Sequence, residues 1–344
     1  MNRQFRFEIQ DSSQTGLARR TVQDIAAKIG MAEAEAGKVA IAVNELGSNL
    51  IKHGKGGELL VRALDSSEGG GLEILALDRG AGMADMASSM RDGFSTAGTM
   101  GTGLGSLSRL ASVFDVFSAP GKGTVVCTRF ASGKPNGVAA GMTMGAVCLP
   151  KPGEEECGDD WTFTRQDRRH MLMVADGLGH GPDAHKAARV AVDVAQKKGA
   201  QDPASVLDDI HAASRATRGA AVSVCAIEHS IGVCRFAGIG NVSCAVVAGD
   251  RARFFASHAG IIGHSVRKIQ EFSAPWPAGA LLVMHSDGLA TQWNLAAYPG
   301  LASRHPGVIA GVLFRDFTRG RDDVTVVVAR DEKPAAQQQV GEAA

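Results

Sequence analysis

The sequence predicts an α+β protein with two domains. With 344 residues, the chain is longer than a single hydrophobic core usually requires. Its clearest change in composition is at residues 131–141, ASGKPNGVAAG, where Gly, Pro, Ser and Asn interrupt the apolar pattern found on both sides. Helix patterns precede strand patterns before this segment, and strand patterns dominate after it. We therefore expect a first domain over residues 1–130, a linker, and a second domain over residues 142–331.

The first domain carries two helix patterns and three strand patterns. Apolar residues recur at the spacing of an amphipathic helix over residues 17–29 and 37–53. The following runs of apolar and β-branched residues predict the strands LLVRAL, LEILALD and GTVVCTRF.

The second domain is dominated by strands. Helix patterns occupy residues 183–198 and 203–217. The predicted strands are MTMGAVCL, HMLMVAD, AAVSVCAIE, GVCRFAGIG, SCAVVAG, ALLVMHSD and VTVVVAR. Many strands with few helices indicate stacked sheets, and the polar, Ala-rich residues 332–344 predict a disordered tail.

Composition narrows the classes of partner. The 36 basic and 36 acidic side chains cancel, so neither a nucleic-acid nor a membrane partner is expected. No apolar run reaches membrane-spanning length, and the first residues lack the apolar core of a secretory signal. The six cysteines form no C-x-x-C pair, and most lie in apolar strand patterns. We expect a cytoplasmic protein with reduced thiols.

One pair of polar residues in the first domain points to phosphate chemistry. Glu45 and Asn49 are one helical turn apart, so they project from the same face of the second helix. An amide oxygen there is suited to hold Mg²⁺ against phosphates, and the carboxylate to accept a proton from a hydroxyl. Such pairs are also common on the exposed face of an amphipathic helix. The pair by itself therefore does not distinguish a phosphate site from an ordinary polar surface.

Two glycine-containing turns strengthen the case for a nucleotide site. An apolar strand ends at Asp78, which is followed by Gly80 and Gly82. A carboxylate there can accept a hydrogen bond from an adenine amino group, and glycines allow a flat base to approach the backbone. The segment GTMGTGLGSLSRL at residues 98–110 opens a helix pattern and would expose N–H groups to phosphate. A glycine cluster alone would also fit a flexible turn.

Taken in order, these segments resemble the GHKL ATPase superfamily, over about residues 5–130. Glu45 and Asn49 match its N box, residues 78–82 and 98–105 its glycine boxes, and residues 121–124 its closing G-x-G-T. The stretch from Met90 to Phe114 is similar to the RsbT switch kinases. The resemblance implies an α/β sandwich of the Bergerat type that binds ATP with Mg²⁺. It also implies transfer of phosphate to a serine or threonine of a STAS-domain protein, with Glu45 as base.

The resemblance also assigns the residues that hold the nucleotide. Asn49 would bind Mg²⁺ as well as contact the nucleotide. The implied cofactor-binding residues are Asn49, Asp78, Gly80, Gly82, Gly101, Thr102, Gly103, Leu104, Gly105 and Thr124.

In the second domain, acidic residues recur at the ends of apolar strand patterns. They occur in GDDW at 158–161, MLMVADGLGHG at 171–181, LLVMHSDGL at 281–289 and RDDVTVVVA at 321–329. A single Asp-Gly usually forms only a turn. Four such sites converge only if the strands lie side by side, and converging carboxylates repel each other unless a cation lies among them. Hard divalent cations would also activate water for attack on a phosphate.

This order resembles the PPM metal-dependent serine/threonine phosphatases, especially the branch of SpoIIE and RsbX, over about residues 143–330. The resemblance implies a β-sandwich flanked by helices with two Mn²⁺ or Mg²⁺ ions. Asp176 would bridge the two ions as the catalytic carboxylate. The implied metal ligands are Asp159, Asp176, the Gly177 carbonyl, Asp287 and Asp322, with Asp160 and Asp323 as alternatives within their doublets.

Three further features of this domain have a structural role or a role that the sequence does not assign. His180 orients the acidic loop or binds metal, and orientation is the simpler role because a carboxylate-rich site does not require imidazole. Gly240-Asn241 is interpreted as a structural turn. A phosphate-holding arginine is expected, without a choice among Arg165, Arg168 and Arg169.

The two resemblances together predict a bifunctional regulator. It would phosphorylate and dephosphorylate STAS-domain proteins that control an anti-sigma factor or a stressosome-like assembly. Two alternatives are a phosphatase whose ATP-binding half only senses nucleotide, and a scaffold without catalysis. Glu45 beside Asn49 argues against mere sensing, and acidic residues at every expected metal position argue against the scaffold.

Overall fold

The computed structural model describes residues 3–85, 103–133, 141–166 and 169–331. Its contacts divide the chain into two compact units. Unit 1 comprises Arg3–Val138 and Ser303–Arg315, and unit 2 comprises Ala139–Ala302 and Asp316–Ala344. Residues 303–315, which the sequence places in the second domain, are thus counted with unit 1. The boundaries at residues 130 and 142 stay predictions.

Unit 1 contains a five-stranded antiparallel sheet with strand order β1-β2-β3-β5-β4. Two long helices precede the second strand, and a short helix precedes the fourth. The elements are β1 (Gln4–Ile9), α1 (Ser12–Lys28), α2 (Glu33–Lys52), β2 (Gly57–Leu64), β3 (Gly71–Leu77), α3 (Gly103–Leu110), β4 (Val113–Ser118) and β5 (Thr124–Ala131).

Local sequence explains where α1 begins. The Asp11 side chain accepts hydrogen bonds from the backbone N–H groups of Ser13 and Gln14, at 2.8 and 3.2 Å. The Gln14 side chain accepts one in return from the Asp11 backbone, at 3.1 Å, which completes a capping box. The buried stripe of α1, which includes Val22, then packs with α2 and one face of the sheet.

The opposite face of the unit 1 sheet holds buried charges. Glu73 is 0% exposed and accepts hydrogen bonds from Arg62 at 2.7 Å and from Arg129 at 2.8 Å. Arg62 also binds both carboxylate oxygens of Glu68. Burial alone would raise the pKa of Glu73, but the charges of Arg62 and Arg129 lower it to about 2. The cluster is therefore paired throughout and has a structural role.

Unit 2 is a β-sandwich of two five-stranded sheets, with strand orders β15-β10-β9-β8-β7 and β12-β11-β16-β17-β6. A two-stranded ribbon, β13-β14, accompanies them. The strands are β6 (Met142–Leu149), β7 (Asp159–Gln166), β8 (Arg169–Gly177), β9 (Ala220–Glu228), β10 (Val233–Ile239), β11 (Ser243–Ala248), β12 (Arg251–Phe254), β13 (Gly260–Ile261), β14 (Ser265–Val266), β15 (Phe272–Pro275), β16 (Leu281–His285) and β17 (Val324–Asp331).

Two hydrophobic cores position the strands of unit 2. Between the sheets, Leu172 and Phe236 of one meet Leu282 and Val327 of the other. On the outer face of the first sheet, a second core joins the strands to two helices. These helices are α4 (Pro182–Lys198) and α5 (Pro203–Ala213). The last helix, α6 (Pro306–Phe317), begins in the segment that is counted with unit 1.

The prediction of a two-domain α+β fold is confirmed, and the differences lie in particular elements. The helix predicted to reach residue 217 ends at Ala213 and continues as a 3₁₀ turn over Ser214–Ala216. Helix α6 was missed because ten successive residues from Pro306 are buried, which removes the period that marks an amphipathic helix. All six cysteines are free thiols. Within the described ranges, no helix is both long and apolar enough to cross a membrane.

Candidate nucleotide and metal sites

Helix α2 presents Glu45 and Asn49 at the edge of the unit 1 core. Its neighbouring residues Leu46 and Leu50 are buried against the sheet, so Glu45 and Asn49 are left half-buried on the flank. The start of α3 lies beside them, because a Cβ atom added to Gly103 would be 3.6 Å from Asn49 Oδ1. The predicted Mg²⁺ ligand therefore faces a helix N-terminus, which favours a negatively charged ligand.

Asp78 follows β3 and is held by the next loop and by β5. Its Oδ1 accepts hydrogen bonds from the backbone N–H groups of Gly80 at 2.8 Å and Thr124 at 3.2 Å. The Asp78 N–H in turn donates to the Thr124 carbonyl at 2.9 Å. Burial raises the pKa of Asp78, and the two N–H groups oppose this rise. These bonds orient the carboxyl group and leave its Oδ2 out of the network.

Close packing around Asp78 explains the glycines of this region. Gly123 has a φ of +65°, and a side chain there would collide with the Asp78 backbone. A side chain on Gly80 would come within 2.5 Å of the His53 carbonyl. Gly82 has a φ of +70°.

The described part of the predicted phosphate loop starts at Gly103. Leu104 is half-buried and Gly105 is buried. The predicted residues Gly101 and Thr102, like Gly98, lie outside the described residues.

In unit 2, Asp159 and Asp176 lie opposite each other at one end of the β7-β8 pair. Asp159 is 2% exposed, and neither carboxylate oxygen has a hydrogen-bond partner of normal geometry among the described residues. Burial, followed by the charge of Asp176, raises the pKa of Asp159 well above its ordinary value, and the Ser286 hydroxyl opposes this rise. A buried carboxylate without partners is costly, and a bound cation would remove that cost.

Two further aspartates approach this pair from β16 and β17. Asp287 follows β16, and its backbone N–H bonds to Asp176. Asp322 is exposed, two residues before β17. Burial and then the charges of Asp287, Asp322 and Asp323 raise the pKa of Asp176 to about 7. Asp287 and Asp322 are therefore near enough for their charges to act on Asp176, and their role as metal ligands stays a prediction.

Hydrogen-bond partners distinguish the two aspartates of the 159/160 doublet more clearly than those of the 322/323 doublet. Asp160 is bound by the Arg189 guanidinium and the Trp161 N–H, at 2.9 and 2.8 Å, so it is already satisfied. Asp322 Oδ1 accepts the Asp323 N–H at 3.0 Å. Asp323 Oδ1 accepts the Lys151 N–H at 2.9 Å, but its buried Oδ2 has no hydrogen-bond partner of normal geometry among the described residues. The geometry favours Asp159 over Asp160 and leaves Asp323 open.

Among the described residues, no group of three or more His, Cys, Asp or Glu side chains stands ready to hold a metal as it is arranged. The buried, unpartnered oxygens of Asp159 and the oxygen-only donor set fit a hard divalent cation.

The loop after Asp176 is shaped by Gly177 and His180. The Gly177 N–H donates to the Gly158 carbonyl at 3.0 Å, and a side chain on Gly177 would collide with the Ala184 carbonyl. His180 Nδ1 lies 2.6 Å from Glu154 Oε1, and the imidazole is 48% exposed. This contact suits a residue that orients the loop.

Sequence reasoning missed the role of Asn241. Its side-chain amide donates to Asp287 Oδ2 at 2.7 Å and thereby orients that carboxylate. The sequence indicates only a structural turn at Gly240-Asn241, because no pattern in it shows that this turn meets Asp287.

Neither described candidate for the phosphate-holding arginine lies at the aspartates. Arg165 pairs with His170 towards the other end of β7-β8, six residues or about 20 Å of strand from Asp159. Arg169 lies at that end too, where it donates to the Gln201 carbonyl at 2.6 Å. Arg168 lies outside the described residues.

Comparisons with known proteins match the two halves separately. Residues 9–130 match the histidine kinase-like ATPase domain, and residues 166–331 match stage II sporulation protein E (SpoIIE). The serine/threonine-protein kinase RsbT of Bacillus subtilis (strain 168) is 31% identical over 109 residues, which are 32% of this chain and 82% of RsbT. The phosphoserine phosphatase RsbX of the same strain is 25% identical over 142 residues, which are 41% of this chain and 71% of RsbX.

A solved structure is also similar: "The bacterial stressosome: a modular system that has been adapted to control secondary messenger signaling". It is 26% identical with a TM-score of 0.52, over 55% of this chain and 99% of that one. The fold and the matches define a class, a histidine kinase-like ATPase domain followed by a SpoIIE-type PPM domain. This chain belongs to the RsbT family through its first domain and carries a SpoIIE domain as its second. Both predicted resemblances are confirmed.

Proposed function

We propose that this protein is a bifunctional regulator that phosphorylates STAS-domain proteins with unit 1 and dephosphorylates them with unit 2. One observation carries the proposal: Asp159 is buried beside Asp176 with no hydrogen-bond partner of normal geometry in the described part of the chain, and the charges of Asp287 and Asp322 also act on Asp176. Such an arrangement in a SpoIIE-type domain is suited to metal-dependent phosphate hydrolysis.

In the phosphatase half, this chain's own residues would hold two divalent ions, Mn²⁺ or Mg²⁺. The proposed ligands are Asp159, Asp176, the Gly177 carbonyl, Asp287 and Asp322. The ions, when bound, would supply positive charge at the phosphate and make water nucleophilic near neutral pH. Because Asp176 interacts electrostatically with Asp159, Asp287 and Asp322, we propose that it would contribute to holding both ions. Asn241 would keep Asp287 oriented during turnover.

In the kinase half, Asp78 would bind the adenine amino group of ATP. Its carboxyl group is already oriented by two N–H donors, which reduces the ordering required when the base binds. Asn49 would hold Mg²⁺ at the phosphates beside the start of α3. Glu45, on the same flank of α2, would accept the hydroxyl proton of the protein substrate.

The proposed phosphate-binding part of the kinase site includes residues that the structure describes and two, Gly101 and Thr102, that lie outside the described ranges. Thr124 holds Asp78 through its backbone, while Gly82 shapes the turn after Asp78. The N–H groups of the loop that leads into α3 would contact the phosphates. We assign this contact to Gly101, Thr102, Gly103, Leu104 and Gly105.

The choice of STAS-domain proteins as substrates follows from the resemblance to the RsbT switch kinases. RsbT is a serine/threonine-protein kinase and RsbX a phosphoserine phosphatase, and a matching structure concerns the stressosome. The two halves of this chain resemble enzymes that add and remove the same kind of phosphate. We therefore place the protein in a partner-switching pathway in which one chain sets phosphorylation in both directions.

The test uses the purified full chain with the STAS proteins encoded beside its gene. With ATP and Mg²⁺ we expect phosphate transfer to serine or threonine, and with Mn²⁺ but no ATP we expect its release. EDTA should stop both activities. ATP binding without transfer would favour a nucleotide-sensing first domain, and no activity in either direction would favour a scaffold.

A single substitution separates catalysis from binding in the kinase half. Glu45→Ala should leave ATP affinity nearly unchanged and slow transfer about a hundredfold to ten-thousandfold, the usual contribution of a positioned base. Asp78→Asn should instead weaken ATP binding. Transfer at the wild-type rate by the Glu45→Ala protein would show that another group is the base.

A further inference from the structure

The loop before β9 places Arg218 beside the loop that follows Asp176. The Leu178 N–H donates to the Gly219 carbonyl at 2.9 Å, and Gly177 pairs with Ala220 across β8 and β9. A Cβ atom added to Gly179 would lie 3.2 Å from a terminal nitrogen of Arg218. Arg218 therefore lies directly beside the loop that follows Asp176.

The backbone that carries Arg218 is fixed by its neighbours. Thr217 O lies 3.1 Å from His264 Nε2. Gly219 has a φ of +84°, and a side chain there would come within 2.6 Å of the Ile262 carbonyl. This crowding keeps the loop in place against the residues around the β13-β14 ribbon.

The guanidinium itself is held only loosely. The Arg218 side chain is 53% exposed, and its ion-pair partner is Asp183, which is 65% exposed, at 2.9 Å. Ion pairs between two exposed side chains contribute little because water competes for both charges. Arg218 can therefore exchange Asp183 for a stronger anion at small cost.

A positively charged side chain beside this acidic site would favour the binding of a substrate phosphate. Four aspartates surround the proposed metal positions, and a substrate phosphate brings further negative charge to them. The planar guanidinium donates two parallel N–H bonds to phosphate oxygens, a geometry that an ammonium group lacks.

We propose that Arg218 binds the phosphoryl group of the phosphoserine or phosphothreonine substrate of unit 2, and that Asp183 occupies the guanidinium until substrate arrives. This inference rests on the proposed phosphatase function. It makes Arg218 a substrate-binding residue and Asp183 a competitor of the substrate phosphate. Arg218 lies in the connection between β8 and β9. It is therefore far in sequence from the predicted candidates Arg165, Arg168 and Arg169.

The test measures phosphate release by the full chain at saturating Mn²⁺ over a range of phosphoprotein concentrations. Arg218→Ala should raise KM and weaken inhibition by inorganic phosphate about tenfold to a hundredfold, as expected for loss of charge-assisted hydrogen bonds. Arg218→Lys should fall between the two proteins. Asp183→Asn should lower KM, because the competing carboxylate is gone.

Two controls separate substrate binding from loop structure. Arg215→Ala removes another exposed arginine three residues away and should leave KM unchanged. Mn²⁺ affinity of the substrate-free protein, measured by calorimetry, should be the same for Arg218→Ala and wild type. Equal losses of metal affinity and phosphate affinity would overturn the inference, because Arg218 would then only organise the loop.

Two further outcomes would overturn the inference. The first is an unchanged KM in Arg218→Ala. The second is a KM that rises only in Arg321→Ala, because Arg321 neighbours Asp322 in sequence and would then be the phosphate-binding arginine. If the wild-type protein releases no phosphate, the proposed function fails. Calorimetric binding of inorganic phosphate to the Mn²⁺-loaded protein then still tests Arg218, and equal binding by wild type and Arg218→Ala, or no binding by wild type, would overturn its role.

Discussion

Glu73 in unit 1 and Asp159 in unit 2 are both almost fully buried carboxylates, yet their surroundings are opposite. Glu73 lies between Arg62 and Arg129, and burial is outweighed by their charges, so its pKa falls to about 2. Asp159 has no partner of normal geometry among the described residues, and its pKa is raised by burial and by the charge of Asp176. The Glu73 carboxylate is therefore stabilised within a buried ion-pair cluster, whereas the Asp159 carboxylate is suited to bind a cation.

Neighbouring residues repeat this contrast within unit 2. Asp160 is as buried as Asp159 but is bound by Arg189. Burial therefore does not identify a functional carboxylate. The lack of hydrogen-bond partners of normal geometry is the better indicator, because the desolvation of such a carboxylate is poorly compensated within the protein.

The largest effect on stability should come from Glu73. Glu73→Gln leaves Arg62 and Arg129 buried without a full counter-charge, and breaking a buried ion pair typically costs about 3–5 kcal/mol. The free energy of unfolding of unit 1, measured by urea titration, should fall by that amount. Glu35→Gln, which removes a surface pair with Lys38, should cost less than about 0.5 kcal/mol. Similar losses in the two variants would erase the distinction between buried and surface pairs.

The largest effect on activity should come from Asp176. Asp176→Asn removes the charge at the centre of the aspartates with little change of shape. Altering groups that only support metal ligands costs about tenfold to a hundredfold, so phosphate release at limiting Mn²⁺ should fall by more than about a hundredfold. The same variant should melt at a higher temperature without metal, because repulsion among the aspartates is relieved.

The control for Asp176 is Asp193→Asn, which removes an exposed carboxylate bound to Arg189. Its phosphate release should match that of the wild type. Wild-type turnover by Asp176→Asn at limiting metal would falsify the proposed two-metal site.

The pH dependence of stability should differ in sign between the two units. In unit 2, the folded-state pKa of Asp176 is raised to about 7, so the metal-free protein should lose stability as pH rises from about 4 through 7. In unit 1, the lowered pKa of Glu73 contributes stability that is present above its ordinary pKa near 4 and is lost as pH falls towards about 2.

Tryptophan fluorescence can follow unit 2 alone, because all three tryptophans, Trp161, Trp276 and Trp293, belong to it. Thermal melts of the EDTA-treated chain should show a lower midpoint at pH 7.5 than at pH 5, by a few degrees. Saturating Mn²⁺ should remove or reverse this difference, because the ions neutralise the aspartates. A metal-free midpoint that rises with pH would contradict the raised pKa values.

The smallest effect on catalysis should come from Asp160. Asp160→Asn keeps a hydrogen-bonding side chain near Arg189 but no metal ligand is lost, so phosphate release and the Mn²⁺ requirement should change less than about threefold. Loss of the charged partner should still lower stability by about 1–3 kcal/mol. A loss of activity comparable to that of Asp159→Asn would reverse our choice within this doublet.

The sequence alone determined much of the fold and the residue types of both sites. Apolar periodicity predicted α2, and its 3.6-residue repeat placed Glu45 and Asn49 on one face without knowledge of any neighbour. Strand patterns ending in acidic residues predicted Asp176 and Asp287 at strand ends. Ordered motifs identified both families, because their spacing is a property of the chain itself.

Only the tertiary structure decided which of these groups meet and which are already satisfied. The pairing of Asp159 with Asp176, the bond from Arg189 to Asp160 and the contact of Asn241 with Asp287 join residues 17 to 46 positions apart. The place of Arg218 beside Gly179 depends likewise on the register of β8 and β9. Sequence patterns report local periodicity and turn chemistry, whereas strand register and side-chain partners depend on how distant segments pack to bury their apolar faces.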